Sequence, residues 1–117
     1  MASVVSETQE SAISVAQIRQ GLGVTRKLLS RLTGYSERAI AGWESGKPLS
    51  GPGLQRMREV QRLLKGLAEI MQPGYVRQWL DMPNPAFEQL KPIEVIERGH
   101  IDRIWEMIFE FRSGAAT

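Results

Sequence analysis

Apolar side chains along this chain recur three and four positions apart, block after block, which is the period of a helix buried on one side. Val15, Ile18 and Leu22 share one side of a segment over residues 15–22, and the Gly21 and Gly23 pair ends it. Leu28, Leu29 and Leu32 line the next segment, opened by Thr25, a residue suited to the N-cap, and stopped by Gly34. Ala39, Ile40 and Trp43 make the inward face of a third segment over residues 37–45, with Gly46 as its C-terminal stop. The seven residues KPLSGPG that follow hold two prolines, two glycines and a serine, so they predict a turn. A long helix is then expected from residue 53 or 54 to about 71, with Leu54, Met57, Val60, Leu64, Leu67 and Met71 on one face. Leu63, Ala68 and Ile70 widen that face beyond what one small core needs, so it serves core packing or a contact with a second copy.

Pro73 and Gly74 break the pattern. A short helix over residues 75–81 carries Val76, Trp79 and Leu80, after which Pro83 and Pro85 force an extended path, because the residue before a proline is pushed out of the helical region. Residues 86–90 leave room for a turn or two at most. Pro92 suits the first position of a helix through residue 98, stopped by Gly99. The last helix, about 101–112, places Ile101, Ile104, Trp105, Ile108 and Phe111 or Arg112 at helical spacing, with Phe109 widening the face. The pattern predicts an all-α chain: a mobile leader over residues 1–14, a first domain over 15–71 that includes the long helix, and a second over 73–117.

With 117 residues, the chain has room for one domain or two small helical ones, and not for a large catalytic domain. Apolar residues at 42% and charged ones at 24% are globular values, which argues against wholesale disorder. The absence of cysteine excludes disulfides and thiolate metal sites, and the single histidine, His100, builds no metal cluster alone; no metal and no cofactor is expected. No apolar run nears the roughly 20 residues needed to span a bilayer, and the N-terminus lacks the pattern of a signal peptide, so a cytoplasmic protein without a membrane role is expected. Glu94 and Glu97, or Asp102 and Glu106, are spaced as acid–base pairs, but acidic helix faces are ordinarily just solvated and nothing nearby tunes these. An enzyme is not expected.

Charge divides the chain. Residues 13–65 hold ten Lys or Arg against three Glu, whereas residues 66–117 hold five against eight acidic residues. The first part is suited to meet phosphate and the second is not. Two short helices joined by a tight turn allow one helix to lie across a nucleic-acid backbone while the next presents its N-terminal side chains to base edges in a major groove. The stretch TRKLLSRLTGYSERAIAGWESG resembles the helix-turn-helix of the Xre (Cro/C1-type) repressor family in its Thr cap, apolar pair, turn glycine, Ser opening the second helix and closing Trp-Glu-x-Gly. The resemblance implies a double-stranded operator DNA partner and base contacts from Ser36, Glu37 and Arg38, with Gly42 one turn on. Arg38 either bonds guanine N7 and O6 together, for about 1 to 3 kcal/mol of discrimination, or lies exposed or on a phosphate. Glu37 either accepts from a cytosine amine or favours the positive end of the helix dipole. Phosphate contacts are expected from Arg26 and Lys27 at a helix start and from Lys47, with Arg56 and Arg58 as further candidates. Ile40 and Trp43 are expected in the core. Tyr35 either bonds a phosphate or covers the core edge.

The second block is also specific. Trp79-Leu80, then Pro83-Asn84-Pro85-Ala86-Phe87, then Lys91-Pro92-Ile93-Glu94-Val95-Ile96 ending at Gly99, then an apolar helix, resemble the toxin-binding domain of the MbcA/ParS/Xre antitoxin family. Phe87 replaces the family's common Leu, and Glu88-Gln89-Leu90 replaces its Gly-rich bend. The resemblance implies an antitoxin that binds and inhibits a RES-type, NAD-degrading toxin and represses its own operon, as a homodimer or larger oligomer. The alternative is a stand-alone Xre-like repressor whose C-terminal part only dimerises. Arg77, Glu97, His100, Arg103 and Arg112 are the polar candidates for toxin contact, and Trp79 and Trp105 are expected to be packed.

Overall fold

The computed structural model describes residues 15–114 and is helical throughout them. The helices are α1 (Val15–Leu22), α2 (Arg26–Thr33), α3 (Glu37–Glu44), α4 (Gly51–Ile70), α5 (Pro73–Leu80), α6 (Pro92–Glu97) and α7 (Ile101–Ser113), with a 3-10 turn at Pro85–Phe87. The fold class is all-α, as the periodicity predicts. The leader expected over residues 1–14 and the side chain of Leu22 lie outside the described residues. Two compact units divide inside α4, between Gln61 and Arg62.

In the first unit α3 packs on both α1 and α2. Leu29, Leu32 and Ile40 are wholly buried, with Val15, Val24 and Leu28 nearly so, and the first half of α4 adds Met57 and Val60. Burying a side chain of this size stabilises by about 1.5–3 kcal/mol, so the inward face of α2 holds a helix of eight residues that is too short to be stable alone. The turn that sets the path from α2 to α3 is fastened by a set of short hydrogen bonds. Gly34 takes the left-handed conformation at φ 80° that a β-carbon would strain, and its N–H donates to the Ser30 carbonyl at 2.8 Å. The Ser30 hydroxyl donates to the Tyr35 carbonyl at 2.6 Å. Thr33, buried, donates to the Leu29 carbonyl at 2.9 Å and accepts from the Tyr35 N–H at 3.1 Å.

Two expectations need correction here. The long helix starts at Gly51, not at residue 53 or 54: Ser50 accepts from the Gly53 N–H at 3.1 Å, and Pro52 sits in the first turn, where its missing N–H leaves no bond unmade. Trp43 is half-buried instead of in the core, its ring edge-on to Tyr35 at 5.0 Å, and Gly53 leaves room beside both rings.

In the second unit α6 packs on α5 and α7. Leu63, Leu64, Leu67, Val76, Leu80, Ile93, Ile104 and Ile108 are wholly buried, and Phe87 is nearly so. Gly66 admits the Trp105 ring: a β-carbon there would stand 3.2 Å from it. Trp79 and Trp105 are both half-buried and packed, Trp79 edge-on to Phe87 at 6.5 Å. Pro92 occupies the first turn of α6, and the Glu94 carboxylate accepts from the Lys91 N–H at 2.8 Å, closing the helix start. Phe109 and Phe111 depart from expectation, being 67% and 56% exposed. Ile108 is the last buried residue of α7, and the helix runs on past it, so the helical period outlasts the face it packs against.

Candidate nucleic-acid and partner interfaces

In the first unit, the start of α3 carries the residues singled out for base contact. Ser36 is its N-cap, with its hydroxyl accepting from the Ala39 N–H at 3.0 Å, so this side chain is already committed to opening the helix. Ser36, Glu37 and Arg38 are all exposed. Among the described residues, Arg38 makes no ion pair. Gly42 lies under the Lys47 side chain, since a β-carbon there would approach Lys47 Cδ to 3.2 Å. The two residues thus share one spot at the end of α3, with Lys47 exposed beyond it.

The expected phosphate contacts split. Lys27 and Arg58 are exposed. Arg56 is occupied within the fold, because its guanidinium donates to the carbonyls of Leu32 and Thr33 at 3.3 Å each and pairs with Glu59, so it caps the free carbonyl end of α2. Arg26 is joined to a group that spacing alone does not reveal. Glu44, at the last turn of α3, accepts from Arg26 Nε at 2.7 Å and from Arg19 Nε and Nη2 at 3.0 to 3.3 Å. Burial pushes the Glu44 carboxyl up, but the hydrogen bonds from Arg19 and Arg26 outweigh it and hold the carboxyl below the usual carboxylate range. The same hydrogen bond raises the Arg26 guanidinium further above its ordinary value. One sequence signal points to this cluster: a glutamate at the negative end of a helix is unfavourable unless cations answer it.

In the second unit the candidate partner residues differ in how far the fold engages them. Arg77 is exposed on α5, and Glu97 and His100 are exposed around the turn from α6 to α7. Arg112 reaches Glu69 at 3.0 Å, joining α7 to α4. Arg103 is the most engaged. It lies 5.3 Å from the centre of the Phe87 ring, donates to the Ala86 carbonyl at 3.3 Å, and forks onto both oxygens of Glu88 at 3.1 and 3.2 Å. Glu88, which the sequence marks only as part of a departure from the family's bend, is thus the partner of Arg103. The side chain of Asn84 accepts from the Ala86 N–H at 2.9 Å, and the Asn84 N–H and carbonyl close the bend onto Leu90 and Gln89 at 3.1 and 2.9 Å.

Among the described residues no cluster of His, Cys, Asp or Glu is arranged to hold a metal ion, and no helix is long and apolar enough to cross a membrane. The described residues form an all-helical chain, with a basic first unit of three helices and the first half of α4, and a second unit in which a hydrogen-bonded bend precedes α6. No family model matches the chain. It is 25% identical over 104 residues, covering 88% of it and 92% of the relative, to the mycobacterial cidal antitoxin MbcA of Mycobacterium bovis and of Mycobacterium tuberculosis. It is 23% identical over 111 residues to a probable mycobacterial cidal antitoxin of M. tuberculosis, covering 92% of this chain and 96% of the relative. The fold matches a chain in the crystal structure of the M. tuberculosis MbcT-MbcA toxin-antitoxin complex with a TM-score of 0.71 at 22% identity, over 92% of this chain and 94% of that one.

Proposed function

We propose that the chain is the antitoxin of a type II toxin-antitoxin pair: its second unit binds and inhibits a toxin, and its first unit binds operator DNA to repress the operon. The observation that carries the reading is the end-to-end likeness to antitoxins, in which the alignment runs over nearly the whole of each chain. The toxin is of the RES type, which degrades NAD; the resemblance of the Trp79 to Gly99 motif supports this. Inhibition proceeds by occupying the partner's surface, with Arg77, Glu97, His100 and Arg112 as contacting groups, and not by chemistry of the chain's own.

The DNA arm is supported by the exposed Glu37 and Arg38 at the start of α3, which Ser36 caps, and by the cations around it. A helix-turn-helix of the Xre type in a homodimer reads two half-sites, and the phosphate contacts fall to Arg26, Lys27, Lys47 and Arg58. Capture of the full chain from its own host, followed by mass measurement of the intact complex, tests the reading. A fixed-stoichiometry complex with a second, toxic polypeptide is expected. Recovery of the chain only as copies of itself would replace the antitoxin with a stand-alone repressor.

A further inference from the structure

Three helices of the first unit meet at one carboxylate. Glu44, with only 8% of its side chain exposed, sits between Arg19 of α1 and Arg26 of α2. The two cations do not share it equally. Arg19 engages Glu44 through Nε and Nη2, and is itself 25% exposed. Arg26 engages it through Nε alone, at 2.7 Å, and is 46% exposed. The inner edge of the Arg26 guanidinium is thereby anchored, while its terminal nitrogens make no hydrogen bond to any described residue. Arg26 is also the first residue of α2, beside backbone N–H groups that have no partner inside the helix.

We infer that Glu44 is a positioning residue for DNA binding: it fixes the Arg26 guanidinium in the orientation that meets a backbone phosphate, with Arg19 holding Glu44 in place. The inference rests on the DNA arm of the proposed function. A free arginine side chain has rotamer entropy to lose when it is immobilised; one already tethered at Nε has lost part of that before the phosphate arrives. The Glu44, Arg19 and Arg26 cluster keeps a net positive charge, so the anchor does not cancel the attraction.

The expected outcome is opposite to that of bare electrostatics. Removing a negative charge from a surface that faces a polyanion should strengthen binding; removing Glu44 should weaken it. The experiment measures binding of the full chain to a random-sequence duplex of about 30 base pairs across a salt series, with each variant shown to be folded by circular dichroism at the assay temperature. Arg26→Ala should lower the slope of log affinity against log salt by about 0.9, the value of one phosphate contact. Glu44→Gln should lower affinity and lower the slope by the same amount, and the double variant should lose no more than either single one. Arg26→Lys, which keeps the charge but loses the Nε–H tether, should also bind more weakly than wild type, and it decides the matter if Glu44→Gln does not fold. Wild-type slope and affinity in Glu44→Gln, or in Arg26→Lys, would overturn the inference while leaving DNA binding intact. Absence of duplex binding by the wild-type chain would overturn the DNA arm itself, and the inference with it.

Discussion

Arg103 of α7 and Glu88 of the bend before α6 face each other as a fork on a fork, two N–H···O bonds at 3.1 and 3.2 Å across fifteen residues of sequence. The hydrogen bond from Arg103 holds the Glu88 carboxyl below its ordinary range and raises Arg103 in return. Both groups are at the surface, where such a pair contributes little to global stability. Its effect is local: it fixes a bend in which Glu88 and Gln89 both take positive φ, at 54° and 68°.

Arg103→Ala should therefore loosen the bend without unfolding the chain. The Gln89 and Leu90 amides, which donate to the carbonyls of Asn84 and Phe87, should exchange with solvent markedly faster, while the Ile104 and Ile108 amides keep their protection. Unchanged exchange at Gln89 and Leu90 would show that the backbone bonds alone hold the bend.

Gln89 is the weak point of the same bend. It is exposed, and a left-handed conformation costs a residue with a β-carbon about 1–2 kcal/mol. Gln89→Gly should raise stability by about 1 kcal/mol, read as a rise of a few degrees in thermal midpoint. A fall in midpoint would mean that the Gln89 side chain holds contacts worth more than the strain.

Acid should release the Glu44 cluster. A carboxyl whose value in the folded chain lies below that in the unfolded chain contributes stability above the unfolded value, and this is lost as pH falls through the folded one. The thermal midpoint of the wild type should drop more steeply than that of Glu44→Gln from about pH 5 downward. Parallel curves for the two proteins would contradict the assignment.

Sequence preference should rest on Arg38. The side chain is exposed, so Arg38→Ala should leave stability within about 0.5 kcal/mol of wild type. It should at the same time cost about 1–3 kcal/mol of discrimination between operator and random DNA. Competition binding with both duplexes measures this, and retained preference would move base readout elsewhere on α3.

Periodicity carried the helices because each depends on a local rule: Thr25 and Ser36 open two of them, Gly34 and Gly99 end two, and Pro92 begins one, all at positions legible in the chain. What it misplaced depends on context. Ser50-Gly51-Pro52-Gly53 has turn composition, yet a serine cap and a first-turn proline are also how a helix begins, and the buried Met57 and Val60 further on favour the helix. The repeat that predicts Phe111 inside says which way a side chain points and not where the neighbouring helix ends. The candidate sites were legible as residue types and not as partnerships. Arg26 and Arg103 read as free cations because Glu44 and Glu88 lie eighteen and fifteen residues away on other elements, and Arg56 reads the same way although it serves the end of α2.

The most direct test of antitoxin function is growth. The full chain is co-expressed with the polypeptide encoded beside it in its own genome, under conditions where that polypeptide alone arrests cells by depleting NAD. Growth and NAD should return to normal when the folded chain is present. Arrest that persists at equal or higher levels of soluble, folded chain would contradict the antitoxin reading.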